Sequence, residues 1–371
     1  MEMHFSDRIK AMQTSPIRRL IPFADEAKSK GKKVFHLNIG QPDIKTPDEY
    51  FEAIRNFKVE TVAYATSQGN NDLRDAVSAY YKSWDIPYER DDIYVTNGGS
   101  EALWFAVMTI CDPGDELLVP EPFYANYNAF AQSSLARLVP IPTRAEEGFH
   151  LPPASVIEKL VTPRTRAIWI SNPGNPTGAV YTPAELEMLA GLAKKHDLYL
   201  IADEVYREFT YDGEKFTSLG HMKDVLDRVI MVDSVSKRFS ACGARIGTIA
   251  IRNRDFMGQV LKLCQGRLCV STLEQVGAAG LYKTPKKYLE DVNKEYKARR
   301  DTLYKALKSM DGVICEEPKG AFYVMVKAPV DDAEKFIIWM LQNFDINGET
   351  TMAAPGNGFY AASAKDRKSV V

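Results

Sequence analysis

Lys237 stands in the run Ser234-Val235-Ser236-Lys237-Arg238-Phe239-Ser240, which continues through Gly243 and Arg245 to Gly247. A lysine amine can form a Schiff base with a carbonyl cofactor, and small hydroxyl residues with an arginine can hold a phosphate. Most of the 47 Lys and Arg residues are expected on the surface, so Lys237 needs company before chemistry is assigned to it. That company ends other apolar runs: Gly99 and Ser100 in Asn97-Gly98-Gly99-Ser100, and Tyr124 after Pro120-Glu121-Pro122-Phe123. Asn175 lies in the loop from Asn172 to Gly178, and Asp203 and Tyr206 lie in Asp203-Glu204-Val205-Tyr206.

The set fits pyridoxal phosphate. Lys237 would carry the aldehyde, and Asp203 would pair with the pyridine nitrogen and keep it protonated, so that the ring serves as an electron sink. Asn175 and Tyr206 can hydrogen-bond the phenolic oxygen. Ser234, Arg245 and the backbone N–H groups at Gly99-Ser100 can hold the phosphate, since free N–H groups and the dipole converge at a helix start. Tyr124 can stack on the ring. Each residue also has a plainer role: Asp203 as a turn cap, Tyr124 as core, the glycines as packing turns.

The elements that must position these residues are legible as short apolar runs. Strands are expected at 34–39, 92–96, 116–119, 166–171, 198–202, 229–232 and 246–251, with Lys237 in a turn beyond the sixth. A core-facing helix is expected at Asp72–Tyr80, a helix from Glu101 to Ile110, and another from Pro183 to His196. Residues 252–310 read as helical, Gly320–Val326 as a strand and Asp332–Asn343 as a helix. Strands alternating with helices from about 92 to 251 predict an α/β fold, a mostly parallel sheet flanked by helices, with a smaller α+β domain following. Ligands of such sheets bind beyond the carboxyl ends of the strands, which is where every candidate falls.

Composition excludes several classes. The chain has 371 residues, 45% hydrophobic and 26% charged, the profile of an ordinary globular protein long enough for two domains. A net charge of −2 gives no reason to expect nucleic acid or an anionic membrane as partner. Five cysteines without a C-x-x-C pair, and five scattered histidines, predict reduced thiols in a cytoplasm and no metal site.

Taken in order, Gly40-Gln41-Pro42-Asp43, Tyr64 with Gly69 and Leu73-Arg74, Gly98-Gly99-Ser100-Glu101-Ala102-Leu103, Asn172 to Gly178, Asp203 to Tyr206 and Ser234 to Gly247 resemble the class I aminotransferases among the fold-type-I pyridoxal-phosphate enzymes, particularly the aspartate-aminotransferase-like subgroup. The resemblance covers roughly residues 15–360. It implies Lys237, Asp203 and Tyr206 as catalytic, and Gly99, Ser100, Glu101, Tyr124, Asn175, Ser234 and Arg245 as cofactor-binding. It implies that Tyr64 reaches the cofactor of a neighbouring subunit in a homodimer, and that Gly40 and Asn175 touch the substrate carboxylate. Domains would run 1–45 (arm and part of the small domain), 46–285 (large) and 286–371 (small). The implied reaction moves an amino group between an L-amino acid, aspartate for instance, and a 2-oxo acid such as 2-oxoglutarate. A cysteine-S-conjugate β-lyase is the rival reading. A non-enzymatic regulator on the same fold would need a basic DNA-binding segment, which residues 1–15 do not supply. The subgroup also implies a last strand and helix beyond Val371, and an arginine for the α-carboxylate. Arg367 is the nearest candidate for that arginine, and Arg18 or Arg19 for a second cation. Without that strand a sheet edge would be left unpaired.

Overall fold

The computed structural model describes residues 3–12, 14–15, 17–361 and 369–371. Its strands are β1 (Lys33–His36), β2 (Ile93–Asn97), β3 (Glu116–Glu121), β4 (Arg137–Pro142), β5 (Thr165–Ser171), β6 (Tyr199–Asp203), β7 (Val229–Ser234), β8 (Ile246–Ala250), β9 (Val326–Lys327), β10 (Glu349–Met352) and β11 (Ser369–Val370). Seven of them form one sheet in the order β2-β8-β7-β6-β5-β3-β4. Strands β3 to β7 pair in parallel, and β8 is antiparallel to both β7 and β2. The inner strands β5, β6, β7 and β8 are buried on both faces, as a doubly covered sheet requires, and so read as near-continuous apolar runs, whereas the edge strand β4 buries only Ile141.

The flanking helices follow local signals. Pro183–His196 starts where expected because Thr182 and Glu185 form a reciprocal capping box and Pro183 occupies the first turn. It ends at Asp197, which is left-handed at φ 53°. Gly98–Ile110 starts three residues before the expected Glu101, so the glycines are the first turn of the helix. A Cβ on Gly247 would collide with the Gly98 backbone, so β8 tolerates the helix start only because it carries glycine there. Lys237 sits in the helical turn Val235–Arg238.

Outside the main sheet two expectations are corrected. Gly320–Val326 is not a strand: Ala321 is left-handed at φ 55°, Gly320 makes one isolated bridge to Thr210, and only Val326–Lys327 is extended in a ladder. Burying Phe322 and Tyr323 against Tyr206, Phe209 and Tyr296 outweighs a regular extension. An unpaired edge is not what β9 presents either, since β11 pairs with it and Val371 exchanges two backbone hydrogen bonds with Ala354 at 2.8 Å. β1 ends at His36 and pairs in parallel with β10, an element that no local pattern announced. The helix Ala333–Asn343 buries Ala333, Ile337 and Leu341, whereas Phe336 and Met340 are half-buried.

Candidate active site

The end of β7 makes the first part of the site. Ser234 caps the turn Val235–Arg238, its hydroxyl accepting from the Ser236 N–H at 3.1 Å. The turn sends the Lys237 side chain across to Gly40, whose carbonyl accepts from Nζ at 2.7 Å. Cys242 Sγ lies 4.0 Å from the same nitrogen. Burial holds the Lys237 amine below its usual pKa, against an opposing pull from Cys242 and the Asp203 carboxylate.

Asp203, at the end of β6, is the second part. Its Oδ2 accepts from the Tyr127 hydroxyl at 2.7 Å, while its Oδ1 is buried with no hydrogen-bond partner. Burial raises the carboxyl to about 6, the Tyr127 bond and the Val205 N–H working the other way. Tyr127 is held flat against Trp169, ring centres 3.9 Å apart. Asn175, in the loop after β5, is also buried with its Oδ1 unpartnered. Buried polar atoms are normally satisfied, so two such acceptors near one strand edge call for a donor-bearing ligand.

Tyr206 donates to or accepts from the Tyr323 hydroxyl at 2.6 Å, and burial raises both phenols. The Tyr323 ring edge lies where a Cβ on Gly40 would be, so Gly40 is the residue that admits it. Tyr124 is pushed up to about 12, first by burial and then by Asp203, with Arg245 pulling down. These mutual influences put Asp203, Tyr124, Tyr206, Lys237 and Arg245 close to one another, and Lys237 Nζ brings Gly40 to them.

An anion corner adjoins that space. Gly98 is left-handed at φ 73°, and the Arg245 guanidinium fills the position its side chain would take. A Cβ on Gly99 would meet Val205, Val232 and Ser234 at 3.7 to 3.8 Å, so the free N–H groups of the helix start lie beside the same strand ends. Gly98→Ala should therefore leave the fold intact but weaken inorganic phosphate binding by about tenfold, because the corner loses both its backbone shape and its arginine. Titration calorimetry with phosphate checks this; unchanged affinity would remove the corner from consideration.

Residues 32–351 match the family described as aminotransferase class I and II. The chain belongs to that family. It is 31% identical over 361 residues to the aspartate aminotransferase of Pyrococcus horikoshii, covering 95% of this chain and 89% of the relative. Among solved structures, the aspartate aminotransferase of Thermus thermophilus with maleate superposes with a TM-score of 0.88 at 29% identity, over 96% of this chain and 93% of that one. The alanine aminotransferase of Pyrococcus furiosus gives 0.89 at 31%, over 99% and 93%.

In this aminotransferase some expected residues are engaged elsewhere. The Glu101 carboxylate is turned away from the anion corner: it accepts from the Asn97 N–H at 2.8 Å and pairs with Arg267 at 3.5 Å. A carboxylate facing a phosphate would be repelled, so this side chain serves the helix start instead. Ser234 donates to the Ile246 carbonyl at 2.9 Å and would have to give up that bond to donate to an anion. Tyr64 is 82% exposed. Arg19 pairs with Glu334; Arg18 is exposed near the Tyr124 hydroxyl; Arg367 lies outside the described residues. Sequence reasoning missed Tyr127, Tyr323 and Cys242. Tyr127 was findable as the residue three beyond Tyr124, whereas Tyr323 was hidden by reading its segment as a strand. Among the described residues no cluster of His, Cys, Asp and Glu could hold a metal, and no helix is long and apolar enough to cross a membrane.

Proposed function

We propose that this aminotransferase uses pyridoxal phosphate to move the amino group of an L-amino acid to a 2-oxo acid, with aspartate and 2-oxoglutarate as the first pair to test. The observation that carries the reading is Asp203, a buried carboxylate with one oxygen bonded by Tyr127 and the other without a partner, near a half-buried lysine. A pyridinium N–H is the donor such an oxygen lacks. The other residues fit the same group: Asn175 and Tyr206 for its phenolic oxygen, Tyr124 for its ring face, and the Gly98–Ser100 helix start with Arg245 for its phosphate.

When bound, the cofactor supplies an electron sink for the bond broken at the amino acid α-carbon. The chain supplies the rest. Lys237 Nζ would hold the cofactor's aldehyde, and its free amine would take the substrate's α-proton; burial, by lowering its pKa, leaves that nitrogen unprotonated more readily. Asp203 would pair with the cofactor's ring nitrogen and favour its protonated form, and Tyr127 orients the carboxylate through its hydroxyl. Gly40 and Asn175 are assigned to the substrate carboxylate. Glu101 is assigned to the helix start rather than to the cofactor.

The substrate pair is supported by relatives named for aspartate, one of them solved with the dicarboxylate maleate; the relative named for alanine keeps the choice of amino acid open to test. We assign the large domain to 46–285 and the small to 1–45 and 286–371, joined by the long helix Lys286–Lys308. Five free cysteines support a reducing, cytoplasmic setting. Borohydride reduction of the loaded enzyme followed by peptide mapping tests the assignment. The label should fall on Lys237, and a label elsewhere overturns it. An absorbance screen of single amino acids then identifies the donor.

A homodimer with shared sites is part of this reading, supported by the exposure of Tyr64. Mixing Lys237→Ala chains with Tyr64→Phe chains should restore activity after subunit exchange, because one of the two sites in each hybrid carries neither lesion. Verified exchange without recovery would return Tyr64 to its own subunit.

A further inference from the structure

Directly behind Lys237 and Asp203 lies a chain of four charged side chains, Glu204, Arg207, Asp233 and Arg238, each essentially removed from solvent. Glu204 adjoins Asp203 in sequence, Asp233 precedes the Lys237 turn, and Arg238 follows Lys237. Arg238 Nη2 pairs with Asp233 Oδ1, and that same oxygen accepts from the Ser234 N–H at 2.7 Å. The pair thus clasps both ends of the turn that carries Lys237. Arg207 links the clasp to the neighbouring strand end, lying 3.4 Å from Asp233 Oδ2 and 3.1 Å from Glu204 Oε2. Glu204 in turn accepts from the Ser218 hydroxyl and the Leu219 N–H at 2.8 to 3.0 Å. Aromatic faces seat both cations: Arg238 lies 4.2 Å from the Tyr80 ring centre and Arg207 5.0 Å from that of Tyr81.

We propose that Glu204, Arg207, Asp233 and Arg238 are positioning residues that hold the Lys237 turn in register with Asp203. Replacing a buried ion pair with apolar side chains of similar volume often leaves stability unchanged or improves it, so bulk stability gives little reason for four charges here. Charge pairing does what grease cannot: Arg207, hydrogen-bonded to Glu204 and 3.4 Å from Asp233 Oδ2, ties the end of β7 to the end of β6. The amine and the carboxylate must act on opposite ends of one small ring, and a misplacement of about 1 Å can cost about 10²-fold in rate.

The inference rests on the pyridoxal-phosphate reading, and the test separates the two. The double variant Asp233→Asn/Arg238→Met removes one charge of each sign and keeps an acceptor for Ser234 N–H. Its melting temperature should stay within about 5 °C of the parent. Its capture of pyridoxal phosphate at Lys237, followed in cofactor-free protein by borohydride trapping and mass mapping, should slow by about 10- to 100-fold. In the loaded enzyme kcat should fall with KM little changed. Arg238→Lys, which keeps the charge but not the fork, should fall between the two, and stands in if the double variant does not fold. Parental capture rate and kcat in either variant would overturn the proposal. So would losses that disappear when the variant is assayed well below its melting temperature. Failure of the unaltered chain to be trapped at Lys237 would overturn the functional reading instead, and this inference with it.

Discussion

Lys237→Ala should lower transamination by at least about 10³-fold, because on the proposed function one substitution removes both the covalent anchor and the group that carries the α-proton. The loss should appear in kcat and kcat/KM together, as expected for an interaction made in the transition state. Stability should hardly change: the Nζ hydrogen bond to Gly40 is replaced by nothing buried and charged, and the turn is closed by its own cap and clasp. Single-turnover assays with saturating amino acid, beside a thermal melt, check both halves. A variant retaining a tenth of parental turnover would show that another group moves the proton.

Asp203→Asn should produce opposite effects on activity and on cofactor-free stability. Burial raises the Asp203 carboxyl to about 6, above the ordinary aspartate range. The folded chain therefore holds this proton more tightly than the unfolded one, and the carboxylate weakens folding progressively as pH rises from about 4 through about 6. The full penalty, on the order of 2–3 kcal/mol, is present above that window. Asparagine lacks the charge but can still accept from Tyr127. The cofactor-free variant should melt higher than the parent at pH 8 and equal to it near pH 4, while turnover falls by about 10²- to 10³-fold. Equal melts at pH 8 would mean that Asp203 is already neutralised by a partner within the chain. Near-normal turnover would mean that some other group faces the pyridine nitrogen.

The architecture was legible where the signal was local. Residues 183–196 announced their helix because Thr182, Pro183 and Glu185 form a start signal, and the central strands announced themselves as apolar runs ended by polar residues. Convergence at the carboxyl edge followed from the alternation of those elements. What stayed hidden depends on distance along the chain. The pairing of β1 with β10 joins Lys33 to Glu349, and neither segment carries a pattern naming the other. Ala321 takes a left-handed turn because three aromatic neighbours repay it, a tertiary effect that alternation between residues 320 and 326 cannot foretell. The place of Glu101 in a motif did not foretell what its carboxylate does: it bonds the Asn97 N–H and pairs with Arg267.

The reversal of β8 bears on how the site forms. Because β8 runs opposite to β7, the residue before it, Arg245, arrives at the same edge as the residues after β7. Lysine and arginine thus sit on one hairpin-like excursion, eight positions apart, and closing so short a loop loses little chain entropy. By contrast, the Lys237 contact with Gly40 spans 197 residues. Contacts of low sequence separation form early, so the excursion that carries Lys237 and Arg245 can close during folding before the distant N-terminal segment brings Gly40 to it.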